Sequence, residues 1–277
     1  QRACLDTCTI PTINAYKSNP FYLKYLERAH SAFLGGWFEC IGSGFHPSVQ
    51  SIDLVSAYPY VMFHLPDIMS EGIWLEGSGK ESFINWLNHR EAMSIGFAEV
   101  AFLFDNDLKW NPLAMKNKKG TLITPRFVRG WFSADEIAEA MKWPHSQMTV
   151  GRWFYFSDHS KRRPFAPFVE RFFKMKMESD PESVEYMVSK VCANSLYGKT
   201  CQAINNQTGK LWNPLYSATI TGSTRARMAE CLRLNDYSAL QVATDGLVFP
   251  KESLSHIPNR PLPAPYNLGQ WELEDEG

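Results

Sequence analysis

Residues 51–62 (SIDLVSAYPYVM) place one carboxylate, Asp53, at the end of an apolar stretch that is followed by a Ser-Ala-Tyr-Pro turn. A solvated loop does not need that tyrosine. An ordinary buried strand does not need that aspartate, because an unpaired buried charge is costly. The combination predicts that the strand ends at a functional site. Taken alone, Asp53 also fits a turn or cap residue, and the choice depends on what else the chain carries.

Composition and charge limit the classes of protein to consider. The 277 residues are 44% hydrophobic and 21% charged, which allows a sizeable core in one large domain or two ordinary ones, and no membrane span is predicted. The net charge of −1 argues weakly against bulk nucleic-acid binding. Basic residues nevertheless predominate over 152–176, and residues 267–277 carry only acidic charges. This segregation fits an enzyme that meets a polyanion on one face, or simply a solvated helix face. The six cysteines lack zinc spacing, which indicates reduced thiols.

Periodicity predicts an α+β fold, because helical and extended segments do not alternate regularly. Capping patterns support two of the helices: Ser133 with Glu136, and Ser179 with Glu182, while Gly198 is expected to end the second. The predicted helices are 20–34, 133–142, 164–177, 179–197 and 218–234. The predicted strands are one leading into Asp53, 94–104, 147–156, and a hairpin over 239–249 that turns at Asp245-Gly246.

Two further stretches carry chemistry, namely KVCANSLYG at 190–198 and ATDG at 243–246. Lys190, Asn194 and Tyr197 share one helix face, and a cation, an amide and an aromatic ring can contact a phosphate, a sugar and a base. Asp53 and Asp245 can hold two Mg²⁺ ions for in-line phosphoryl transfer. A lysine neutralises the anionic transition state of that reaction. The three stretches together predict a phosphoryl-transfer site.

The three stretches, in this order, resemble motifs A, B and C of family B DNA polymerases: D-x-x-S-x-Y-P from Asp53, K-x-x-x-N-S-x-Y-G from Lys190, and Thr-Asp at 244–245. The segment between motifs A and B is long for the family. It resembles the insertion by which protein-primed polymerases of phages and linear plasmids contact their terminal protein. FLGG at 33–36 resembles the Y-x-G-G linker of those enzymes, and LGQWELE at 268–274 resembles the segment after motif C.

The resemblance implies a polymerase palm, an antiparallel sheet with helices, joined to a two-helix fingers unit and an insertion between motifs A and B. It implies template-directed DNA synthesis from dNTPs on a DNA template and primer, with Mg²⁺, or Mn²⁺ as an alternative, and a terminal protein as a further partner. The implied parts are a linker and helix at 1–36, palm with motif A at 37–62, palm and insertion at 63–155, fingers at 156–200, and palm with motif C at 201–277.

The resemblance also implies roles for single residues. Asp53, Asp245 and the backbone carbonyl of Leu54 bind metal, and Lys190 neutralises the triphosphate. Tyr58 excludes ribose and Tyr197 stacks on the new base pair, although each alone also fits a core aromatic. The other implied nucleotide-binding residues are Ser56, Asn194, Lys174 and Lys176, and the implied DNA contacts are Phe33, Gly35, Gly36, Gly198 and Thr244.

Several features depart from the family pattern. Ala243 replaces the first aspartate of motif C, which is expected to weaken Mg²⁺ recruitment, and Phe33 replaces the linker tyrosine. No thumb or exonuclease segment is recognised, so these are expected to be missing or supplied separately. Two alternatives stay open: a catalytically silent nucleic-acid-binding or assembly subunit, and a primer-independent polymerase of a mobile element. The expected location is the cytoplasm of the host of a virus or mobile element, with an organelle as the alternative.

Overall fold

The computed structural model describes residues 12–14, 20–205, 207–259 and 262–276. These residues form a mixed α+β fold with antiparallel sheets, as predicted. The predicted linker at 1–36 falls partly outside the described residues. No helix in the described ranges is both long enough and apolar enough to cross a membrane.

In chain order the helices are α1 (Pro20–Ala32), α2 (Ala57–His64), α3 (Lys80–His89), α4 (Ala134–Ala140), α5 (Ala166–Glu178), α6 (Val184–Cys201) and α7 (Pro214–Leu234). The strands are β1 (Trp37–Cys40), β2 (Val49–Leu54), β3 (Gly72–Ser78), β4 (Gly96–Phe104), β5 (Met115–Lys116), β6 (Leu122–Ile123), β7 (Phe127–Ser133), β8 (His145–Asp158), β9 (Ala203–Ile204), β10 (Gln207–Thr208), β11 (Gln241–Thr244), β12 (Gly246–Pro250) and β13 (Trp271–Glu276).

Two larger sheets organise the described residues. The first has five strands in the order β1-β11-β12-β2-β13, and the second has four in the order β3-β8-β4-β7. Successive residues of a strand point to opposite faces, so Ile52 and Leu247 are buried while their neighbours Asp53 and Gly246 lie on the other face. This alternation leaves Asp53 on the partly exposed face of the five-stranded sheet.

Helix α7 is buried along most of its length and contacts α1, α2, α4 and α6. Its buried hydroxyls are tolerated because they donate to carbonyl groups one turn earlier, as Thr219 Oγ1 does to the Leu215 oxygen at 2.8 Å. The helix begins at Pro214, earlier than the predicted residue 218. The Asn213 side chain accepts hydrogen bonds from the first turn and so caps the helix there.

The bounds of α6 correct the prediction at both ends. Ser183, not Ser179, is the N-cap, and its hydroxyl accepts a hydrogen bond from the Tyr186 N–H at 3.1 Å. Ser179 instead follows the last residue of α5. Gly198 does not end α6, which continues to Cys201, and the Thr200 hydroxyl donates to the Tyr197 carbonyl within this last turn. The predicted capping pair at α4 is present, because Glu136 accepts from the Ser133 N–H.

Candidate active site

The hairpin of β11 and β12 brings Asp245 beside Asp53. Gly246 is paired directly with Asp53, and the Leu54 N–H donates to the Asp245 carbonyl oxygen at 2.9 Å. The turn lies at Thr244-Asp245, where Thr244 has a φ of +63°, and not at Asp245-Gly246 as predicted. The turn is shifted because Gly246 is part of the strand pairing. A Cβ there would lie 3.2 Å from Asp53 Oδ1, so the glycine leaves room for the carboxylate.

The two carboxylates are electrostatically unfavourable as they stand. Burial is the main cause that raises the pKa of Asp53 to about 7, and the charges of Asp245 and Glu274 raise it further. Burial also raises the pKa of Asp245, followed by the charge of Glu274. Partly buried carboxylates that repel one another are stabilised by a cation, since a nearby positive charge favours their ionised form.

Two acidic residues of the site were missed as candidates in the sequence. Glu272 on β13 is paired directly with Asp53, and Glu274 accepts a hydrogen bond from the Ser51 hydroxyl at 3.1 Å. The signal that could have identified them is the pattern WELE at 271–274, in which acidic residues occupy every second position. Within the described ranges, no three or more His, Cys, Asp or Glu side chains are grouped so that they could hold a metal ion.

The helix pair α5–α6 supplies positive charge. Burial is the main cause that lowers the pKa of Lys176, and Lys190 lowers it further, whereas the charges of Glu272 and Asp53 raise it. Lys176 therefore lies near Lys190 and near the carboxylates of Glu272 and Asp53. Lys174 instead pairs with Glu178 on the exposed side of α5, with Nζ 3.8 Å from Oε1. The structure thus brings together Lys176 and Lys190, but gives Lys174 a different neighbour.

Two tyrosines pack between α2 and α6. The ring centroids of Tyr58 and Tyr197 are 4.4 Å apart, with 40° between the ring planes. Burial raises the pKa of Tyr58 to about 12 and also raises that of Tyr197, so both hydroxyls are neutral near pH 7. Ser56, with a φ of +49°, is the residue before α2 and separates the end of β2 from the helix that carries Tyr58. Asn194, the third predicted residue of the α6 face, is exposed.

The Gly35-Gly36 segment passes over the hairpin. A Cβ at Gly36 would lie 2.8 Å from Thr244 Cγ2 and 3.1 Å from the Tyr58 hydroxyl oxygen, so only glycine fits this close approach. Phe33 before it packs half-buried against the core. A Cβ at Gly198, in contrast, would meet nothing within 4 Å.

A buried ion pair holds the Gly35-Gly36 segment. Arg225 of α7 donates to the carbonyl oxygens of Leu34 at 2.8 Å and Gly35 at 2.6 Å, and its Nη2 lies 2.8 Å from Glu136 Oε1. Both charged side chains are only 1% exposed. Sequence reasoning missed Arg225 because a single arginine in a helix carries no local signal of burial.

The sequence and the fold are similar to those of known proteins. The family model "DNA polymerase type B, organellar and viral" matches residues 28–218, which include Asp53 and Lys190 and end before Asp245. The primer-independent DNA polymerase PolB of Escherichia coli is 26% identical over 178 residues, or 56% of this chain and 20% of that protein. A probable DNA polymerase of Neurospora intermedia is 24% identical over 217 residues, or 72% of this chain and 22% of that protein.

Solved structures show the same fold. Phi29 DNA polymerase in an orthorhombic crystal form aligns with a TM-score of 0.66 and 14% identity, over 100% of this chain and 50% of that one. Its ternary complex with primer-template DNA and incoming nucleotide substrates aligns with a TM-score of 0.63 and 16% identity, over 92% and 48%. The chain thus spans about half of the phage polymerase and about a fifth of each curated relative. Because the family model covers more than half of this sequence, the chain belongs to the type B DNA polymerases of the organellar and viral kind.

Proposed function

We propose that the chain is the core of a template-directed DNA polymerase that adds dNTPs to a DNA primer. The observation that carries the proposal is that Asp53 of β2 and Asp245 of the β11–β12 turn lie together, with Lys176 near Asp53 and Lys190 near Lys176. Phosphoryl transfer depends on positioning and on neutralising charge, and this site offers an anionic and a cationic side facing one another. Family membership supports the same reaction.

In this proposal the five-stranded sheet is the palm, and α5 and α6 are the fingers. The four-stranded sheet belongs to the segment between motifs A and B, as an insertion. The proposed divisions are those expected from the sequence: linker 1–36, palm 37–62, palm and insertion 63–155, fingers 156–200, and palm 201–277.

The donor set suits Mg²⁺, and Mn²⁺ as an alternative, because both prefer carboxylate and carbonyl oxygens. Asp53 and Asp245 would hold the ions, with the Leu54 carbonyl as a further ligand. Held there, such ions would supply positive charge for the phosphates and would lower the pKa of the attacking hydroxyl. The pKa values of Asp53 and Asp245 are raised without a bound cation. A site built to hold a cation would have this property, because the cation would favour the ionised carboxylates.

The nucleotide would lie between the carboxylates and the helix pair. Lys190, with Lys176, would neutralise the triphosphate, with Ser56 and Asn194 nearby, whereas the pairing of Lys174 with Glu178 argues for a lesser role of Lys174. Tyr58 would exclude a ribose 2′-hydroxyl, and Tyr197 would stack under the base pair. Phe33, Gly35, Gly36, Thr244 and Gly198 would lie along the DNA.

Initiation has two candidates. A terminal protein that contacts the insertion is the first, and it follows from the length of the segment between motifs A and B. A primer-independent start is the second. Its support is the similarity of the chain to a primer-independent DNA polymerase of Escherichia coli. Extension assays with and without an oligonucleotide primer distinguish the two, because a primer-independent enzyme makes product from template and dNTPs alone.

Primer extension by the 277-residue chain tests the proposal. We expect incorporation that needs Mg²⁺ or Mn²⁺, that is lost in Asp245→Ala, and that persists in Asp107→Ala, the same change at an exposed turn. A parent chain that binds primer-template DNA but incorporates nothing with either ion would instead identify a silent binding or assembly subunit.

A further inference from the structure

One row of directly opposed residues crosses the five-stranded sheet from edge to edge. It runs through Phe38, Ala243, Gly246, Asp53 and Glu272. Directly opposed residues of antiparallel strands project from the same face. Phe38, on the outermost strand, therefore lies on the face that carries the catalytic carboxylates.

The burial of neighbouring residues agrees with this assignment. Trp37 is 2% exposed and packs into the core, whereas Phe38 is 68% exposed. A phenylalanine that is two-thirds exposed on a regular strand gains little from the core behind it. Its position on this face therefore needs another explanation.

Charge divides the row into two halves. The β13 half carries Asp53 and Glu272, and the β1 half carries only Phe38, Ala243 and the Gly246 backbone. DNA phosphates are repelled by the acidic half, whereas the side chains of Phe38 and Ala243 carry no charge. Three strand spacings of ~4.8 Å separate Phe38 from Asp53, which gives about 14 Å, or roughly four base steps of 3.4 Å. Phe38 is thus within reach of the last few nucleotides of a strand whose end lies at Asp53.

We propose that Phe38, with Ala243 beside it, is a stacking platform for a base of the primer strand a few nucleotides before its reacting end. The inference rests on the proposed polymerase function and adds to it a DNA-contacting residue. The contact is independent of base identity, because every base presents an aromatic face. Ala243, paired directly with Phe38, has a small side chain and leaves space beside the Phe38 ring.

Equilibrium binding of a fluorescent primer-template, without dNTP, tests the proposal in the 277-residue chain. We expect Phe38→Ala to weaken binding by roughly 5- to 100-fold, the range for losing one stacked base, and Phe38→Trp to retain it. Phe45→Ala is the matched control, because Phe45 is 91% exposed on the loop after β1 and lies outside the row. It should bind like the parent.

Primers with single abasic sites identify the contact. At one position two to four nucleotides before the 3′ end, the abasic site should weaken DNA binding by the parent but should not weaken DNA binding by Phe38→Ala any further. Equal binding by the parent and Phe38→Ala, or equal losses at every abasic position, would overturn the proposal. Self-association that Phe38→Ala abolishes while DNA binding is unchanged would overturn it as well, by assigning the ring to a second copy of the chain. The polymerase proposal fails separately, if the parent binds the primer-template but extends it with neither metal ion.

Discussion

The two antiparallel sheets use the same alternation of buried and exposed residues, but they treat charge in opposite ways. In the four-stranded sheet, Glu99 lies 3.7 Å from Arg129 and 3.8 Å from Arg152, so the outward acid has basic partners. In the five-stranded sheet, Asp53 is surrounded by other carboxylates, and its pKa is raised. Strongly perturbed ionisable groups cluster at functional sites. The four-stranded sheet thus pairs its outward charge, whereas the five-stranded sheet holds repelling carboxylates together at a cost in stability.

The largest expected effect is on catalysis. Asp53→Asn should lower the rate of primer extension by about 1,000-fold or more, because losing a metal ligand costs several kcal/mol of transition-state stabilisation. Glu99→Gln, the matched change on the other sheet, should leave the rate within about 2-fold, since it alters only surface ion pairs. Single-turnover extension rates measure both. Similar losses in the two variants would contradict the division between the sheets.

A change in a core residue of the four-stranded sheet should have the next largest effect, this time on stability. Phe154 is fully buried and its ring contacts those of Tyr25, Trp74, Phe97 and Trp131. Phe154→Ala should lower the free energy of unfolding by about 3–5 kcal/mol, because it leaves a cavity. Denaturant titration measures the loss. At denaturant concentrations below the midpoint of unfolding, the extension rate per folded molecule of Phe154→Ala should equal that of the parent. A lower rate per folded molecule would contradict the division of roles between the two sheets.

In metal-free buffer, the carboxylates of the five-stranded sheet should make the free energy of unfolding depend on pH. The pKa of Asp53 is raised from 3.8 to about 7 in the folded protein, so the folded state binds this proton more tightly than the unfolded chain does. The stabilisation that this proton gives the folded state is therefore complete below about pH 4 and is lost as the pH rises to about 7. After allowance for solvent screening, the free energy of unfolding of Asp53→Asn at pH 8 should be higher than that of the parent by about 1–3 kcal/mol. Unfolding curves in EDTA from pH 4 to 8 check this, and parallel curves for parent and variant would contradict it.

Sugar selection should change by a smaller factor. Tyr58→Val removes a ring that contacts Tyr197 but removes no carboxylate. It should relax discrimination against ribonucleotides by about 10- to 200-fold, the range for a steric change in a binding pocket. The ratio of extension efficiencies with rNTP and dNTP measures this, and Tyr58→Phe, which keeps the ring, serves as the control. An unchanged ratio in Tyr58→Val would show that another residue selects the sugar.

The smallest effect should come from the residue that departs from the family pattern. Ala243→Asp adds a carboxylate beside Asp245 and should lower the Mg²⁺ concentration for half-maximal extension by about 2- to 5-fold, because more negative charge recruits the cation. Maximal extension should be equal or higher. A Mg²⁺ titration of both proteins measures the shift. An unchanged Mg²⁺ requirement in Ala243→Asp would mean that Glu272 and Glu274 already supply the charge, and a higher requirement would contradict the prediction.

Local patterns allowed much of the fold to be predicted. The α4 capping pair, the strand into Asp53 and the β11–β12 hairpin depend on residues near one another in the chain, where propensity and spacing suffice. The errors occur where local signals compete. Ser179 and Ser183 both suit an N-cap, and packing selected Ser183. Gly198 resembles a helix end, but the helix continues through it because glycine weakens a helix without forbidding it.

The sequence by itself determined the family and predicted the two aspartates and the lysine-bearing helix as the site, because a spaced set of chemically specific residues carries that information directly. The tertiary structure alone decided which further groups join them. Pairing of β13 with β2 brought Glu272 to Asp53, packing of α5 on α6 selected Lys176 over Lys174, and burial of α7 placed Arg225 under the Gly35-Gly36 segment. These contacts join segments distant in the chain, and their geometry depends on how whole elements pack, which no local pattern specifies.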